Sequence, residues 1–378
     1  MKEDKIVCHN VRHGLSISPQ REYKPCCIYP KSLANNLQDY LNSPELAQLK
    51  ADFDQGIKPL SCQECWDDET AGHPSKRTID NKYVFKDMPH NIGFYSIMVA
   101  FGNSCNLACR TCGSYSSTTW IQEEKKLNQQ GMDNTIHPHN RFYQEKFFID
   151  ELKSISKDVR HVYFMGGESF LAGINEHLEY LDYLTTLGNG IHLHYTTNAT
   201  IFPTEKFWNR WKKFKKVDIQ LSIDGIREHF EYTRWPAKWD QVYENIKKFQ
   251  ELSRGNDKIK LSVGHVVSIF TVYYYPEFYK WCLQNKLTDP FISLLSNKPE
   301  YDIRALPKAV KDKVREKLSK YHFDEIINYM YQADLSEHLV TGEEYINLLD
   351  QQRGQSFKET FPEFYQILKD HNETTTTG

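Results

Sequence analysis

Residues 94–115 read FYSIMVAFGNSCNLACRTCGSY, an apolar stretch of strand length that runs directly into a loop with three cysteines. Cys105, Cys109 and Cys112 have the spacing CxxxCxxC. Three thiolates this close in sequence can bind three irons of one [4Fe-4S] cubane and leave the fourth iron without a protein ligand from the loop. An open coordination position is typical of catalytic rather than purely structural metal sites. The loop therefore predicts a cluster with one open iron, and the alternative is a zinc knuckle completed by a distant His or Cys.

Strand-length and helical segments alternate along the chain from Phe94 onward. Five further apolar, β-branched or aromatic runs have strand length, namely HVYFMGG, IHLHYTTN, VDIQLSID, KIKLSVGHVVSI and PFISLLS. Helical patterns such as NEHLEYLDYLTTLG and WDQVYENIKKFQEL lie between them. Strands that are each followed by a helical crossover predict an α/β protein with a parallel sheet, curved into a partial (β/α)6 TIM-like barrel. Chemistry in such sheets gathers at the carboxyl ends of strands, which is where the cysteine loop lies.

Changes in composition and in predicted secondary structure along the chain indicate three regions. Residues 1–90 are rich in Cys, Pro and Asn and predict a small Cys-rich N-terminal domain. Within it, LSISPQREYKPCCIYP is typical of a hairpin, and a helix is expected to begin at Ser43 and Pro44 and to end at Gly56. Residues 91–300 form the predicted barrel. Residues 301–378 predict a helical C-terminal extension, and its ETTTTG end is expected to be a disordered tail.

Composition narrows the class of protein. Of the 378 residues, 26% are charged and 39% hydrophobic, which predicts a folded rather than a disordered chain. The formal net charge of −3 argues against a general nucleic-acid-binding protein. Without an apolar run of about 18 residues or a signal-peptide pattern, we expect a soluble, cytoplasmic protein with no membrane partner. Eight of the nine cysteines lie at or before position 112, which favours metal ligands over disulfides in such a compartment.

Three segments after the cysteine loop extend its pattern in a fixed order. MGGESFL follows the second strand, YTTNAT ends the third, and QLSIDGIREHFEYTRW ends the fourth. Together with CxxxCxxC, these segments resemble the motifs of the radical S-adenosylmethionine (radical SAM) enzymes over about residues 94–290. One departure is Thr111, where many members of that family have an aromatic residue before the third cysteine.

The resemblance implies a set of SAM-binding residues. It assigns the GGE segment to the methionine amino group, the serine and aspartate of the SIDG segment to the ribose, and the following arginine to the carboxylate. On their own, these residues are also typical of turns, helix caps and solvated surface positions. The implied residues are Gly166, Gly167, Glu168, Thr197, Asn198, Ser222, Asp224 and Arg234.

The resemblance also implies a reaction. In this family, a [4Fe-4S] cluster passes one electron to bound SAM, which yields methionine and a 5′-deoxyadenosyl radical that abstracts a hydrogen atom from the substrate. An electron donor such as flavodoxin or ferredoxin is implied. The expected substrate is a peptide or protein side chain, and the alternative is a small molecule such as a sugar, alcohol or nucleoside-like compound that is dehydrogenated or cyclised. A non-enzymatic zinc-binding module is the competing class.

A second group of cysteines precedes the barrel. Cys8, the pair Cys26 and Cys27, Cys62 and Cys65 have the pattern C-x17-CC-x34-CQEC. This pattern resembles the SPASM/twitch type of auxiliary iron–sulfur domain, although such domains usually follow the barrel. The resemblance implies a second [4Fe-4S] cluster held by four of these thiols, with Cys26 preferred over Cys27. A zinc ribbon with four cysteine ligands is the alternative.

Two further features carry no functional prediction from the sequence. His192 and His194 alternate along a strand, which is more typical of packed or hydrogen-bonded histidines than of metal ligands. Cys282 lies in an aromatic-rich helical segment and is expected to be a small core residue.

Overall fold

A single eight-stranded sheet organises the molecule. The computed structural model describes residues 6–70, 72, 74–188 and 190–376. In chain order the strands are β1 (Gly14–Ile17), β2 (Tyr23–Lys24), β3 (Ser96–Val99), β4 (His161–Phe164), β5 (His192–Thr197), β6 (Lys216–Ser222), β7 (Ile259–Val267) and β8 (Phe291–Leu294). Their spatial order is β2-β1-β3-β4-β5-β6-β7-β8, so β2 and β8 form the two edges and the sheet is open. All neighbouring strands are parallel except β1 and β2, which are antiparallel.

The six strands expected from the sequence are present as β3 to β8, and the predicted α/β partial barrel is confirmed. The hairpin predicted near the first cysteines is also present, as β1 and β2. The structure adds one feature, because β1 lies parallel to β3 and pairs Ile17 with Val99. The Cys-rich region therefore contributes a seventh parallel strand to the barrel sheet.

Seventeen α-helices are described, and they surround the sheet. The predicted helix start at Ser43 is confirmed, since its side chain caps the helix that begins with Pro44. The C-terminal extension is helical to Thr376, and the predicted disordered tail falls partly on residues 377–378, which lie outside the described residues. The helices are α1 (Asn10–His13), α2 (Leu37–Leu41), α3 (Pro44–Asp54), α4 (Gln63–Thr70), α5 (Lys76–Tyr83), α6 (Trp120–Gln129), α7 (Lys146–Ile155), α8 (Ile174–Thr186), α9 (Glu205–Trp211), α10 (Arg227–Thr233), α11 (Trp239–Arg254), α12 (Tyr275–Gln284), α13 (Lys308–Leu318), α14 (Asp324–Met330), α15 (Leu339–Arg353), α16 (Phe357–Thr360) and α17 (Pro362–Thr376).

The two faces of the sheet have different chemistry because successive side chains of a strand point to opposite sides. One face packs against helices: the ring centroid of Phe164 lies 4.0 Å from that of His177 on α8, and the indole of Trp211 on α9 donates to the Tyr195 hydroxyl at 3.1 Å. On the opposite face, the strand register places Tyr163 beside His194 and His194 beside Asp218. The interior of the partial barrel is therefore polar. No helix among the described residues is long and apolar enough to cross a membrane.

A buried ion pair connects the C-terminal extension to the cysteine loop. Arg110, between the second and third cysteines, is fully buried and pairs with Asp350 on α15. Its guanidinium also donates to the carbonyl oxygen of Tyr232 at 3.1 Å and lies 3.6 Å from the centre of the Tyr232 ring. Arg353, at the end of α15, donates to the carbonyl oxygen of Ala108 at 2.8 Å. The extension thus packs directly against the loop rather than standing apart from the barrel.

Removal of one partner from this pair tests how strongly the extension holds the loop. In an Asp350→Ala variant the Arg110 charge stays buried without its carboxylate, which costs about 3–5 kcal/mol of unfolding free energy for such pairs. We expect a correspondingly lower denaturation midpoint, measured by circular dichroism in guanidinium chloride.

Asp182→Ala is the matched control, because Asp182 pairs with Arg210 at 2.6 Å but its side chain is 51% exposed. An exposed pair of this kind contributes about 0–1 kcal/mol. Equal shifts in the two variants would contradict the assignment of a stabilising role to the buried pair.

Candidate functional site

The cysteine loop lies at the carboxyl end of β3, as the sequence predicts for a reactive site. Cys105, Cys109 and Cys112 are all half-buried free thiols. The side-chain amide nitrogen of Asn198 lies 3.8 Å from the Cys105 sulfur, and a guanidinium nitrogen of Arg234 lies 4.0 Å from the Cys109 sulfur. Burial raises the pKa of Cys109 to about 12, and the nearby Arg234 charge opposes this rise. The loop therefore brings together three thiols with residues from two of the other sequence motifs.

The loop has no helix or strand of its own, so backbone contacts fix its shape. The amide of Ala108 donates to the carbonyl oxygen of Trp235 at 2.6 Å, and the amide of Arg110 donates to that of Thr233 at 2.8 Å. The indole of Trp120, the first residue of α6, donates to the carbonyl oxygen of Cys109 at 2.9 Å. The first two bonds connect the loop to the segment that follows β6, and the third connects it to α6.

The glycine pair after β4 allows a second element to approach the loop. Gly167 has a φ of +53°, and a Cβ there would lie 2.5 Å from the carbonyl oxygen of Ser104. Gly166 has a φ of +74°, and its Cβ would lie 2.5 Å from that of Ala100. Glycine alone adopts such backbone angles without strain and without a side chain in the way. The amide of Glu168 then donates to Ser104 at 2.8 Å, which joins the two loops.

Glu168 is buried and accepts three hydrogen bonds. One carboxylate oxygen accepts from the Thr197 hydroxyl at 2.7 Å and from the Phe170 amide at 3.2 Å, and the other accepts from the Asn198 amide at 2.8 Å. Burial raises the pKa of Glu168, and these hydrogen bonds oppose the rise. A carboxylate offers about four acceptor positions, so one remains at the oxygen bonded to Asn198. Glu168 therefore anchors the Thr197 and Asn198 segment, a role that the sequence did not indicate.

Asp224 and Arg234 form a buried ion pair at 2.8 Å. The second carboxylate oxygen of Asp224 accepts from the Val266 amide at 2.8 Å, so both oxygens have partners within the protein. The Arg234 Nε–H is buried and has no partner among the described residues. Ser222, the last residue of β6, is half-buried, and its hydroxyl contacts no other described side chain by hydrogen bond. The pair connects the end of β6 to Cys109.

The second group of thiols surrounds one cavity, here named the N-terminal cysteine cavity. Cys8, Cys26, Cys62 and Cys65 line it, and Cys27 is not part of its lining. Cys8 precedes α1, Cys26 follows β2, and Cys62 and Cys65 lie at the start of α4. Separate stretches of sequence thus supply thiols to one space, among apolar and aromatic side chains. The lining also carries charges of both signs, from Lys76, Arg77 and Glu64.

Neither thiol group is arranged around a single ion. Within the part of the chain that the structure describes, only three histidines form a group of three or more candidate ligands whose atoms all lie within 4.8 Å of one another. No three of the thiols are therefore that close together.

A family model described as the Radical SAM superfamily matches residues 99–268. The chain contains a radical SAM domain. The family uses a [4Fe-4S] cluster and S-adenosylmethionine. The matched segment begins at the end of β3 and extends to the residue after β7, so it includes the cysteine loop and the segments after β4, β5 and β6. The N-terminal cysteine cavity lies outside it.

Several solved structures are similar to the radical SAM chain at low identity. The anSMEcpe structure with bound AdoMet has 17% identity and a TM-score of 0.42 over 63% of this chain and 64% of that chain. Streptococcus suis SuiB bound to S-adenosylmethionine has 17% identity and a TM-score of 0.40 over 76% of this chain and 59% of that chain. SuiB bound to precursor peptide SuiA has 17% identity and a TM-score of 0.38 over 80% of this chain and 64% of that chain. The chain thus spans less than two thirds of each of these proteins. No curated protein matches it.

Sequence reasoning missed the polar residues that hold the radical SAM loop from outside. Asp350 and Arg353 lie more than 200 residues from the loop, so only tertiary contacts reveal them. Arg110 did carry a signal, because an arginine between two closely spaced cysteines has little room to reach solvent. The sequence motifs predict roles for Glu168 and Arg234, but they do not indicate the partners of these residues within the protein.

The hydrogen bonds of Glu168 predict the effect of its removal. A Glu168→Ala variant leaves the Thr197 hydroxyl and two backbone amides without an acceptor, and each buried donor left unpaired costs about 1–3 kcal/mol. We expect the unfolding free energy to fall by at least about 2 kcal/mol in denaturant titrations.

Glu205→Ala provides the control, since Glu205 is exposed in the first turn of α9. An exposed substitution of this kind changes stability by about 0.5 kcal/mol or less. If Glu168→Ala were as stable as this control, the carboxylate would not anchor the Thr197 segment.

Proposed function

We propose that this protein is a radical SAM enzyme in which Cys105, Cys109 and Cys112 bind a [4Fe-4S] cluster with one open iron, and that it abstracts hydrogen from a peptide or protein side chain. One observation carries the proposal. The four motif segments meet at the carboxyl ends of β3 to β6, with Asn198 beside Cys105 and Arg234 beside Cys109. An electron donor of the flavodoxin or ferredoxin type is part of the proposal.

The spacing of the thiols supports a cluster over a single zinc ion. A tetrahedral zinc site with Zn–S bonds of about 2.3 Å holds its thiolates about 3.8 Å apart. The thiols of the cysteine loop are not gathered within 4.8 Å of one another. A cubane accepts wider separations because each thiolate binds a different iron. The separation of the thiols therefore favours a [4Fe-4S] cluster over one zinc ion.

The residues around the loop have separate tasks in this proposal. When bound, the cluster and SAM supply an electron and a carbon radical that removes hydrogen from an unactivated C–H bond. The free acceptor position of Glu168 suits the methionine ammonium group, and the unpaired Arg234 Nε–H suits a carboxylate. Ser222 offers a half-buried hydroxyl to the ribose. The Arg234 charge also favours the thiolate form of Cys109.

We extend the proposal to a second, auxiliary [4Fe-4S] cluster in the N-terminal cysteine cavity. Its ligands are Cys8, Cys26, Cys62 and Cys65, because these four line the cavity and Cys27 does not. The largely apolar lining suits a cluster that is screened from water. No three of these thiols lie within 4.8 Å of one another, which supports a cluster over a zinc ribbon.

The open edge of the sheet supports a peptide substrate. β8 is an edge strand with Phe291 57% exposed, and its outer backbone groups have no neighbouring strand in the described sheet. An extended peptide can pair with such an edge through main-chain hydrogen bonds. The small-molecule alternative is tested by adding peptide and low-molecular-mass fractions of a cell extract separately and measuring 5′-deoxyadenosine. Stimulation by the low-mass fraction alone would favour a small-molecule dehydrogenase or ring-forming enzyme.

Replacement of Cys105, Cys109 and Cys112 by Ala tests the radical site. We expect complete loss of 5′-deoxyadenosine formation under dithionite in the anaerobic, reconstituted protein, because the three-thiolate face that leaves one iron open is gone. The product is measured by liquid chromatography. Cys282→Ala is the control, since Cys282 is buried in α12 and is expected to leave the rate unchanged. A triple variant that cleaves SAM at the wild-type rate would refute the mechanism.

A Cys62→Ala and Cys65→Ala double variant tests the auxiliary cluster. We expect iron to fall from about eight to about four atoms per chain, the content of one [4Fe-4S] cubane. SAM cleavage without substrate should persist, whereas turnover of the substrate should fail. Iron and zinc are measured by mass spectrometry.

The adjacent thiol supplies the matched control for this test. Cys27→Ala should keep about eight irons per chain, because Cys27 does not line the cavity. If the double variant lost one zinc instead of four irons, the N-terminal cysteine cavity would be assigned to a zinc ribbon and not to an auxiliary cluster.

A further inference from the structure

Three histidines form a cluster at the amino ends of two neighbouring strands. His161 begins β4, and His192 begins β5, followed by His194 on the same face. One ligand atom from each ring lies within 4.8 Å of the other two, and no other such group occurs in the described parts of the chain. The strand register places His161 opposite His192, so the cluster is a direct product of sheet pairing. We name these three residues the histidine cluster.

The separation of the ring nitrogens matches a shared ion. His161 Nδ1 and His194 Nε2 lie 3.2 Å apart. Two imidazole nitrogens on one tetrahedral zinc, each at about 2.05 Å, lie about 3.3 Å apart. A hydrogen bond accounts for one pair of nitrogens, but it does not account for the third ring. The His192 centroid lies 5.0 Å from that of His161.

A carboxylate behind the cluster orients one of the rings. His194 Nδ1 lies 3.5 Å from a carboxylate oxygen of Asp218 on β6. Asp218 is held in turn by Lys216 at 2.8 Å. Tyr163 stacks on the His194 ring, with centroids 4.1 Å apart and planes at 9°. The Asp218 carboxylate therefore faces the Nδ1 side of the ring, and Nε2 is directed toward His161. Metal-binding histidines commonly have such a carboxylate beside the nitrogen that does not bind the metal.

The surroundings of the three rings disfavour the protonated imidazole and lower the pKa of each ring. Burial, reinforced by the neighbouring rings and lysines, lowers the pKa of His161 and His194 to about 3. The pKa of His192 is also lowered by burial. The charged groups nearby are of both signs, since Asp218 and Asp80 offset Lys76, Lys215 and Lys216.

The histidine cluster is separate from the proposed iron–sulfur site. Asn198, which contacts Cys105, lies four residues beyond His194 along β5. At about 3.3 Å per residue this is about 13 Å. The histidines therefore lie deeper in the barrel, below the cysteine loop.

We propose that His161, His192 and His194 bind one divalent cation of the zinc class through three imidazole nitrogens. Three protein ligands leave a fourth position of a tetrahedral site, and the half-buried rings of His192 and His194 leave it accessible to water or a small ligand. Imidazole ligands suit zinc, and a carboxylate beside a ligating ring, as Asp218 is beside His194, tunes affinity. This metal is additional to the iron of the proposed clusters.

Metal content tests the proposal directly. The full-length, cluster-containing protein is incubated with zinc sulfate, desalted and measured for zinc and iron by mass spectrometry. We expect one zinc per chain in the wild type, no zinc in His161→Gln and His194→Gln variants, and unchanged iron. His338→Gln is the matched control, because His338 is partly exposed and lies outside the cluster. Wild-type protein without zinc, or histidine variants that retain it, would overturn the proposal.

Two further measurements keep the outcome distinct from the N-terminal cysteine cavity and from misfolding. X-ray absorption at the zinc edge should show nitrogen or oxygen ligands only, and the Cys62→Ala and Cys65→Ala variant should retain the zinc. Sulfur ligands would overturn the assignment. Asp218→Asn keeps all three imidazoles but weakens their orientation, so we expect zinc affinity, measured by chelator competition, to fall about 10- to 100-fold. Unchanged affinity in this variant would contradict the assigned role of Asp218 in orienting the His194 ring.

Discussion

The amide of Glu168 donates a hydrogen bond to the carbonyl oxygen of Ser104, and the geometry of the whole site depends on that contact. It requires Gly167, since any side chain there meets Ser104 at 2.5 Å. Once it forms, the Glu168 carboxylate is positioned to accept from the Thr197 hydroxyl and the Asn198 amide. One close approach of two backbones thus brings the segments after β3, β4 and β5 together. The position of the Glu168 carboxylate is therefore set by the backbone contact between Glu168 and Ser104.

The sequence predicted the parts of this arrangement that depend on local pattern. The six strands of the barrel have apolar runs of strand length, and the CxxxCxxC spacing is visible in one loop. The addition of β1 to the edge beside β3 was not predictable, because four residues carry no period and the pairing with β3 spans about 80 positions. Motif order predicts that Glu168 and Arg234 belong to the site. The ion pair of Arg234 and the hydrogen bonds of Glu168 depend on tertiary packing between distant segments, which a local sequence pattern does not reveal.

The adjacent cysteines and the histidines are two further cases in which the sequence alone does not show which residues lie together in the fold. Sequence left Cys26 and Cys27 open as alternatives, and the fold separates them because only Cys26 lines the cavity with the other thiols. For the histidines, alternation along β5 indicated that His192 and His194 share a face, and it favoured a packing role. His161 lies 31 positions before His192, so the third ring appears only when β4 and β5 pair. The register between β4 and β5 places His161 beside His192 and His194, and this completes the group of three.

Three buried arginines surround the cysteine loop, and each has an acidic partner: Arg110 with Asp350, Arg234 with Asp224, and Arg353 with Glu123. Buried ion pairs add little net stability compared with apolar packing, because desolvation offsets most of the attraction. These pairs instead fix the geometry of the loop, because a guanidinium group that hydrogen-bonds to several partners holds them at fixed positions. Arg353 also bonds to Ala108, and Arg110 to Tyr232, so two of the pairs clamp the backbone of the loop. A loop without regular structure thereby becomes rigid enough to present three thiols in a constant arrangement.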